Sequence, residues 1–343
     1  MKQNNKIAIH KSENKGFTDR WVQYCQDNKI DYKIVNAYAT NIVYQLFDCD
    51  AFMWNHHQAN YKDVIFAKQL LYSLQKAGKK VYPDFNTCWH FDDKVGQKYL
   101  LEAIGAPLVP SYVFYTKDEA LNWANTTTFP KVFKLRGGAS SVNVKLIKSK
   151  SEAYTVINKA FGNGFSQYDW RDHFKEAVRK YKAGKVSLRD VLRPLYYATK
   201  KYPTTFAKYK GNERGYIYFQ EFIPDNKFDI RVIVVGNKAF AIKRMTREND
   251  FRASGSGIIL YEKNEFDERC VQIAFKINSN IKAQSIAYDF VFDKRNMPMI
   301  VEVSYAFMAS GYDACTGYWD EQLKWHEGKF NPYGWMVDMM VDK

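Results

Sequence analysis

The spacing of apolar residues predicts a first region, residues 1–89, in which short strands alternate with helices. Apolar runs such as KIAIH (6–10) and AFMWNHH (51–57) flank segments with helical spacing, the longest of which covers residues 61–77. This alternation is typical of a small α/β domain with a parallel sheet. Ligands of such sheets bind beyond the carboxyl ends of the strands, where the pair His56-His57 falls. A structural or solvated histidine pair is nevertheless commoner than a substrate contact.

In a second region, residues 90–222, the pattern predicts a helix followed by strands around a loop of small residues. The strand FPKVFK ends at Lys134, the loop GGASS follows at residues 137–141, and a second apolar run completes a hairpin. Small residues let backbone N–H groups close around phosphate oxygens, and a lysine on the strand adds positive charge. The loop lacks the GxxxxGK[ST] pattern of a P-loop. An ordinary hairpin loop is the competing interpretation, and this stretch alone favours it.

The third region, residues 223–343, contains a hairpin that places two carboxylates side by side. AYDFVFD and MIVEVS are strand-like runs around a polar turn, and a turn centred between residues 295 and 296 pairs Asp289 with Glu302. The two side chains then lie on the same face of the sheet, where like charges repel. We expect a cation between them, and hard oxygen ligands suit Mg²⁺. A surface hairpin with two solvated acids is the equally weighted alternative.

Further charged residues interrupt apolar strands in the same region. The strands DIRVIVV and KAFAIKRM, joined by a Gly-Asn turn, carry Asp229, Arg231 and Arg244, and the polar loop that follows carries Arg252. Arginines beside a carboxylate hairpin are what phosphoryl transfer requires, because cations must neutralise the phosphate oxygens.

The cysteines and the first residues of the chain indicate the cellular compartment. The five cysteines are scattered without metal-ligand spacing, which predicts reduced thiols and a cytoplasmic protein. The opening residues hold only a four-residue apolar run, too short for a signal peptide, and no stretch approaches the length of a transmembrane span.

The formal charge of +14 predicts an acidic partner, and much of it falls in residues 165–210. This segment reads as a basic helical insertion with several tyrosines. A solvated surface and a peripheral contact with an anionic substrate, lipid head group or polymer are equally favoured. Motifs typical of nucleic-acid binding are absent from the sequence, so a phosphorylated or carboxylated small molecule is the expected partner.

Taken together, the order of these parts resembles the ATP-grasp superfamily. The resemblance runs from Asp93 to Ser304 through a DK pair, FPKVFK, the small-residue loop, QEFI, DIRV, KR…FR and D-x12-E. Across DIRV…KR…FR the chain looks most like the branch with glutathione synthetases and ribosomal-protein glutamate ligases. The stretches TCWHFDDKVGQKYLLEAIGAPLVPSYVFY and WHEGKFNPYGWMV are similar to ATP-grasp proteins of bacterial surface-polysaccharide biosynthesis.

The resemblance implies a mixed α/β and α+β fold. It also implies that the protein binds ATP together with Mg²⁺, and two Mg²⁺ ions are expected. An α/β pre-grasp domain would cover residues 1–89, a first ATP-grasp lobe residues 90–222, and a second lobe with the catalytic carboxylates residues 223–343. The implied residues fall into three groups. Those for the nucleotide are Lys94, Lys134, Gly137, Gly138, Ser140, Ser141, Gln220, the backbone of Glu221, Phe222 and Ile223, and Asp229 and Arg231. Those for the metal are Asp289, Glu302 and Ser304. Those for the transferred phosphoryl group or the acceptor carboxylate are Arg244 and Arg252.

Two positions depart from the family's patterns. Ser304 stands where an asparagine is common, so we expect weaker binding of a second metal. Ala287 stands where D-alanine–D-alanine ligases have an arginine, so we expect a different acceptor.

The implied reaction is ATP-dependent joining of a carboxylate to an amine through an acylphosphate. The resemblance implies a small molecule such as an amino acid as the amine, and a carboxylated sugar or surface-polysaccharide precursor as the carboxylate. A kinase on the same scaffold and a non-catalytic ATP-binding module are the alternatives, and a homodimer is expected by analogy.

Overall fold

The computed structural model describes residues 6–12, 16–137, 144–166, 168–182, 184, 186–200, 204–246 and 257–341. The chain separates into two compact units. Unit 1 comprises Met1–His57, Lys62–Leu108 and Ile223–Lys343, and unit 2 comprises Gln58–Tyr61 and Val109–Phe222. The predicted domain boundaries at 89/90 and 222/223 stay predictions.

The first part of unit 1 is built on a parallel sheet with the strand order β2-β1-β3-β4, which confirms the predicted α/β pattern. The elements are β1 (Ile7–His10), α1 (Phe17–Asp27), β2 (Tyr32–Val35), α2 (Ile42–Gln45), β3 (Ala51–Met53), α3 (Tyr61–Lys76), β4 (Lys80–Tyr82), α4 (Phe85–Cys88) and α5 (Lys94–Ala103).

One predicted strand of this sheet is too long. The strand expected over residues 51–57 ends at Met53. Trp54 N still donates to Tyr82 O at 2.8 Å, but His56 N donates to Trp54 O at 2.9 Å, so the backbone turns back on itself. The ladder therefore stops before the histidine pair.

Unit 2 holds an antiparallel sheet with the order β5-β8-β6-β7. Its core contains Phe133 and Phe219, which pack with alanines of the two helices that follow β5 and β7. The predicted helical insertion is present between the third and fourth strands of this unit. The elements are β5 (Ser111–Phe114), α6 (Lys117–Thr126), β6 (Lys131–Lys134), β7 (Lys145–Ile147), α7 (Lys150–Phe161), α8 (Trp170–Lys182), α9 (Leu188–Ala198), α10 (Thr205–Lys210) and β8 (Ile217–Glu221).

The rest of unit 1 forms a larger sheet with the order β13-β12-β9-β10-β14-β15, with β11 paired to β10. The strands and helices are β9 (Phe228–Val235), β10 (Lys238–Met245), β11 (Ile259–Leu260), α11 (Glu268–Ile281), β12 (Ser285–Phe292), β13 (Pro298–Ser304), β14 (Gly317–Asp320), β15 (Trp325–Glu327) and α12 (Pro332–Val341), with 3-10 turns at Lys263–Glu265 and Ala309–Tyr312.

Both faces of this larger sheet are covered. On one face, Val232, Val234 and Tyr288 pack in a core with α11. On the other face, Ile233 and Val235 pack with α1 and α12. Because side chains alternate along a strand, the charged residues at positions 229 and 231 continue this second face beyond its apolar part.

Among the described residues, no helix combines the length and apolar character needed to cross a lipid bilayer.

Candidate active site

The hairpin of β12 and β13 pairs Asp289 with Glu302, as the sequence predicts. The register is not uniform, because a β-bulge follows Asp289 and Phe290 pairs with Ile300. At the closed end Phe292 pairs with Pro298, so the turn is centred on residue 295 rather than between residues 295 and 296. The bulge absorbs the difference of one residue, and the two carboxylates still lie on one face.

The positive charge expected beside these carboxylates is supplied by the protein itself. Arg231 on β9 pairs directly with Asp289 across the sheet. Its Nε donates to Asp289 Oδ1 at 2.5 Å and its Nη2 donates to Oδ2 at 2.6 Å. Arg244 Nη2 lies 3.1 Å from the same Oδ2. A bidentate guanidinium contact of this kind fixes the carboxylate in orientation as well as charge.

A second ion pair lies next to the first on the same face. Asp229 and Arg244 pair across the β9–β10 hairpin. Arg244 donates to both carboxylate oxygens of Asp229, with Nε to Oδ1 at 2.7 Å and Nη2 to Oδ2 at 2.6 Å. We call Asp229, Arg231, Arg244 and Asp289 the charge cluster.

The side chains of the charge cluster are 12–20% exposed, and this burial shapes their ionisation. Burial raises the pKa of Asp289, but the guanidinium groups of Arg231 and Arg244 outweigh it and hold that pKa below its ordinary value. Burial raises the pKa of Asp229, and Arg244 offsets only part of that rise. Burial lowers the pKa of Arg231, but Asp289 more than offsets it, and the result lies well above the ordinary value. Asp289 and Arg231 are therefore charged at neutral pH.

Glu302 differs from Asp289 in exposure and in its partner. Its side chain is 35% exposed, and Lys94 Nζ lies 3.1 Å from its Oε1. Lys94 is the first residue of α5, whose N-cap Asp93 accepts a hydrogen bond from Gly96 N. The contact joins a predicted phosphate ligand to a predicted metal ligand.

Ser304 follows Glu302 on the same face of β13, at the position paired with Ala287. Its hydroxyl donates to the backbone oxygen of Ala306 at 2.8 Å. The lone pairs of this hydroxyl remain available as an acceptor or ligand, since the hydrogen bond uses its proton.

The donor set fits Mg²⁺. Glu302 is half-exposed, and Asp289 lies directly opposite with its four lone pairs partly used by the two arginines. Among the described residues there is no group of three or more His, Cys, Asp and Glu side chains that could hold a metal without help. Mg²⁺ is usually bound by one or two carboxylates together with substrate phosphates, and this pair matches that pattern.

In unit 2, Lys134 is buried at the end of β6 and belongs to a polar network. Its Nζ donates to Gln220 Oε1 at 2.6 Å, and Gln220 Nε2 donates to Ser111 Oγ at 3.1 Å. Tyr218 OH donates to the same Ser111 oxygen at 2.8 Å. Two predicted nucleotide residues, Lys134 and Gln220, are thus brought together.

The side chain of Glu221, by contrast, serves the fold of unit 2. It accepts from the buried Lys131 Nζ at 2.7 and 2.8 Å and from Tyr112 OH at 3.0 Å. The predicted adenine slot uses only the backbone of Glu221, Phe222 and Ile223, and it stays a prediction.

The predicted phosphate loop is described only at its start. Gly137 N donates to Glu213 Oε1 at 3.4 Å. The remaining loop residues of the prediction, Gly138, Ser140 and Ser141, lie outside the described residues, and so does Arg252.

Sequence reasoning missed Tyr312, which lies beneath the charge cluster. It is 6% exposed and packs against Phe240 and Phe307. Burial raises its pKa, and the guanidinium groups of Arg231 and Arg244 counter part of that rise. No pattern in the surrounding sequence GYDAC points to this contact, because it depends on how the 3-10 turn packs on the sheet.

The chain was compared with protein families, with curated proteins and with solved structures. Residues 209–317 match the family model described as the RimK-like ATP-grasp domain. Among curated proteins, no sequence matches the chain.

Solved structures resemble the chain over nearly its full length. A RimK domain ATP-grasp protein from Sphaerobacter thermophilus has a TM-score of 0.56 and 12% identity, covering 98% of this chain and 100% of that one. The D-alanine–D-alanine ligase of Bacillus anthracis has a TM-score of 0.57 and 13% identity, covering 98% and 96%. The biotin carboxylase domain of Hydrogenobacter thermophilus 2-oxoglutarate carboxylase, solved with MgADP, ADP and bicarbonate, has a TM-score of 0.60 and 13% identity, covering 99% and 70%. At these identities the likeness shows a shared fold.

Proposed function

We propose a reaction for this chain from the premise that it is an ATP-grasp protein with a RimK-like domain at residues 209–317. The proposed reaction is ADP-forming ligation of a carboxylate to an amine. ATP phosphorylates the carboxylate, the amine attacks the resulting acylphosphate, and an amide, ADP and phosphate are released. The observation that carries the proposal is the row of Glu302, Asp289 and Arg231 on three neighbouring strands, with Arg244 beside it.

This row suits chemistry in which charge moves between phosphate oxygens. The guanidinium groups of Arg231 and Arg244 are two cations held in a fixed orientation at the edge of an apolar face. Little water surrounds them there, so their electric fields are weakly screened. Fixed cations stabilise developing negative charge without reorganising during the reaction. The step needs no nucleophile from the protein, so positioning and electrostatics can supply the catalysis.

Asp289 and Glu302 are the residues that would hold Mg²⁺, and Ser304, two residues after Glu302 on β13, is the third residue proposed for the metal. When bound, the ion would neutralise phosphate oxygens of ATP. Lys94, which already contacts Glu302, would add a positive charge for the same phosphates.

Lys134 and Gln220 are proposed for the nucleotide in unit 2, because their network places one amide and one ammonium group at the end of β6. Asp229 is proposed for the ribose. In this structure Asp229 is bound to Arg244, so contact with a ribose hydroxyl would use its remaining lone pairs.

The finer points of the proposal rest on the sequence resemblance. These are a carboxylated sugar or surface-polysaccharide precursor as acceptor, an amino acid as amine, a homodimer and a cytoplasmic location. The five cysteines are free and buried, which agrees with a reducing compartment.

The test is release of ADP and phosphate from Mg-ATP in a pool of carboxylates and amines. We expect the wild type to release both in equal amounts and only when substrates are present. Glu302→Gln should lower this rate by about a hundredfold or more, because it removes a charge on which phosphoryl transfer depends. Glu327→Gln, an exposed carboxylate on β15, is the matched control and should behave like the wild type.

Other outcomes would contradict the ligase. ADP without free phosphate would identify a kinase. Nucleotide binding without turnover across a broad pool would identify a binding module.

A further inference from the structure

The pair of helices α8 and α9 carries a surface that the proposed reaction does not use. Residues 165–210 contain twelve Lys and Arg against four Asp and Glu, a net charge of +8 out of the +14 of the chain. Seven of the twelve basic residues lie on the two helices, which pack together through Tyr168, stacked on His173 at 4.2 Å and in edge contact with Tyr197 at 5.5 Å.

On α8 the exposed residues form one basic row. Arg171, Lys175, Arg179 and Lys182 are all exposed and recur at helical spacing. At about 100° per residue they lie within an arc of about 80°. Arg179 also contacts Glu176 at 2.7 Å, and Arg171 lies over the ring of Trp170 at 5.3 Å.

One exposed side of α9 is apolar, whereas large apolar side chains on a helix are usually buried. The exposed fractions are 57% for Leu188, 53% for Leu192, 39% for Leu195 and 60% for Tyr196. These four residues lie within an arc of about 100° on the helix. We call them the α9 apolar row.

The α9 apolar row is distinct from the side of α9 that packs on the protein. Val191 and Pro194 are the buried residues of that helix, and they lie on one flank of the row. Arg189 and Arg193, both exposed, lie on the opposite flank, with Lys200 following beyond the helix end. The helix thus has three sides: a buried side, an exposed apolar side and a basic side.

We propose that α8 and α9 bind the surface of an anionic lipid bilayer. An amphipathic helix with leucine and tyrosine on one side and Arg or Lys on the other lies in the interface, with its apolar side among the acyl chains and its cations near the phosphates. An anionic lipid bilayer offers acyl chains to the apolar side and phosphates to the basic side at the same time. The basic row of α8 adds long-range attraction to the same negatively charged surface.

Two other partners fit less well. A second copy of this surface would bring like charges together, which opposes self-association through it. A soluble anionic polymer would match the basic residues, but it would leave four exposed apolar side chains without a complement, since its phosphates or carboxylates bind cations alone.

The test is co-sedimentation of the full chain with vesicles of phosphatidylcholine alone or with about one third phosphatidylserine. We expect binding to the anionic vesicles, weak binding to the neutral ones, and a decline as salt is raised. The double variant Leu188→Ser/Leu192→Ser should weaken binding at least about tenfold, because two leucines no longer enter the bilayer. Arg189→Gln/Arg193→Gln should weaken it to a similar extent and reduce the salt dependence.

Matched controls come from exposed residues elsewhere on the chain. Tyr44→Ser/Phe47→Ser removes two exposed aromatic side chains from unit 1, and Lys76→Gln/Lys117→Gln removes two exposed lysines. Neither should change vesicle binding. Circular dichroism of each variant checks that it is folded, and the salt dependence of the wild type tests the electrostatic part without any variant.

Three results would overturn the proposal. The first is equal, weak binding to both kinds of vesicle. The second is binding to anionic vesicles that the leucine variant leaves unchanged. The third is tight binding to a soluble polyanion such as heparin that depends on Arg189 and Arg193 but not on the leucines, which would identify a polymer surface instead.

Discussion

At Asp289 a carboxylate is buried next to two arginines and opposite a second carboxylate. Taking a carboxylate out of water costs several kcal/mol unless it is paired in good geometry. The bidentate contact with Arg231 and the contact with Arg244 provide that pairing. Asp289 is thus held in place by the protein before any ligand binds, whereas Glu302 remains half-exposed.

This difference predicts that two candidate metal ligands contribute unequally to stability. Asp289→Asn leaves Arg231 and Arg244 buried with only Asp229 to neutralise them, so we expect a loss of about 3–5 kcal/mol in the free energy of unfolding. Glu302→Gln should cost about 1 kcal/mol or less, because its ion pair with Lys94 is partly solvated. Urea denaturation of the two variants checks this, and equal losses would contradict the account of the charge cluster.

Two buried histidines predict a fall in stability at mildly acidic pH. Burial, with a smaller contribution from Lys68, lowers the pKa of His56 to about 3 and that of His90 to about 4. Among the described residues, neither ring nitrogen of His90 has a hydrogen-bond partner. Both side chains are therefore neutral in the folded chain and take up protons near pH 6.5 when the chain unfolds.

The direction of this change in stability with pH follows from the difference in proton binding between the folded and the unfolded chain. Since the unfolded chain binds more protons below pH 6.5, stability is highest above that value and is lost as pH falls toward the folded pKa values. Between pH 7.5 and pH 5 each histidine should cost about 2 kcal/mol. Urea denaturation across this range measures the slope, and His90→Phe should remove about half of the histidine contribution. An unchanged slope would show that His90 is protonated in the folded state.

At the residue scale, the hairpin pattern predicted the pairing of Asp289 with Glu302, because both belong to one local hairpin. The β-bulge after Asp289 was not predictable, and it restores this pairing although the turn is centred on residue 295. The contact of Arg231 with Asp289 was not predictable. It requires β9 to lie beside β12, and the order of strands in a sheet is decided by long-range packing. Nor does the sequence show that Lys131 binds the carboxylate of Glu221. The predicted contact of the Glu221 backbone with adenine stays a prediction.

At the scale of elements, α1 and α12 pack unusually closely. A Cβ atom at Gly334 would lie 2.5 Å from Tyr24 Cε2, well inside van der Waals contact. Tyr24 is held there by hydrogen bonds of 3.0 Å from its hydroxyl to both carboxylate oxygens of Asp338 on α12. Glycine at position 334 is thus required by the helix contact.

We therefore predict that Gly334→Ala destabilises the protein although alanine favours helix. Helix propensity would contribute about 1 kcal/mol of stabilisation, but overpacking against the Tyr24 ring should cost about 1–3 kcal/mol. In a Tyr24→Ala background the same substitution should be neutral or stabilising, because the obstructing ring is gone. A double-mutant cycle measured by thermal unfolding tests this. Additive effects would contradict the proposed contact.

Element types were readable from the sequence where a pattern was local, and element ends were less so. The hairpin through Gly236 was predicted from its turn, and Gly236 does adopt φ +57°. The predicted strand over residues 51–57 was too long because apolar character continues through Trp54, which is buried outside the ladder. Nor does the chain order show that α5 contacts β13, where Val303 N donates at 3.4 Å to Gln97 Oε1 from 206 residues away.

At the scale of the whole molecule, charge is unevenly distributed. Residues 165–210, which carry +8 of the net charge of +14, belong to unit 2, whereas the carboxylates and arginines of the charge cluster belong to unit 1. The net charge of the chain therefore does not by itself describe its active site. The two proposals divide accordingly: a surface contact is proposed for residues 165–210, and phosphate chemistry is proposed for the charge cluster.

The central claim is that Glu302 and Asp289 bind ATP through Mg²⁺. Calorimetric titration with ATP, in Mg²⁺ and in EDTA, tests it most directly. We predict that Mg²⁺ strengthens ATP binding to the wild type and to Glu327→Gln, and that Glu302→Gln loses most of this gain. ATP affinity that is the same in Mg²⁺ and EDTA, or the same gain in Glu302→Gln as in the wild type, would contradict the account.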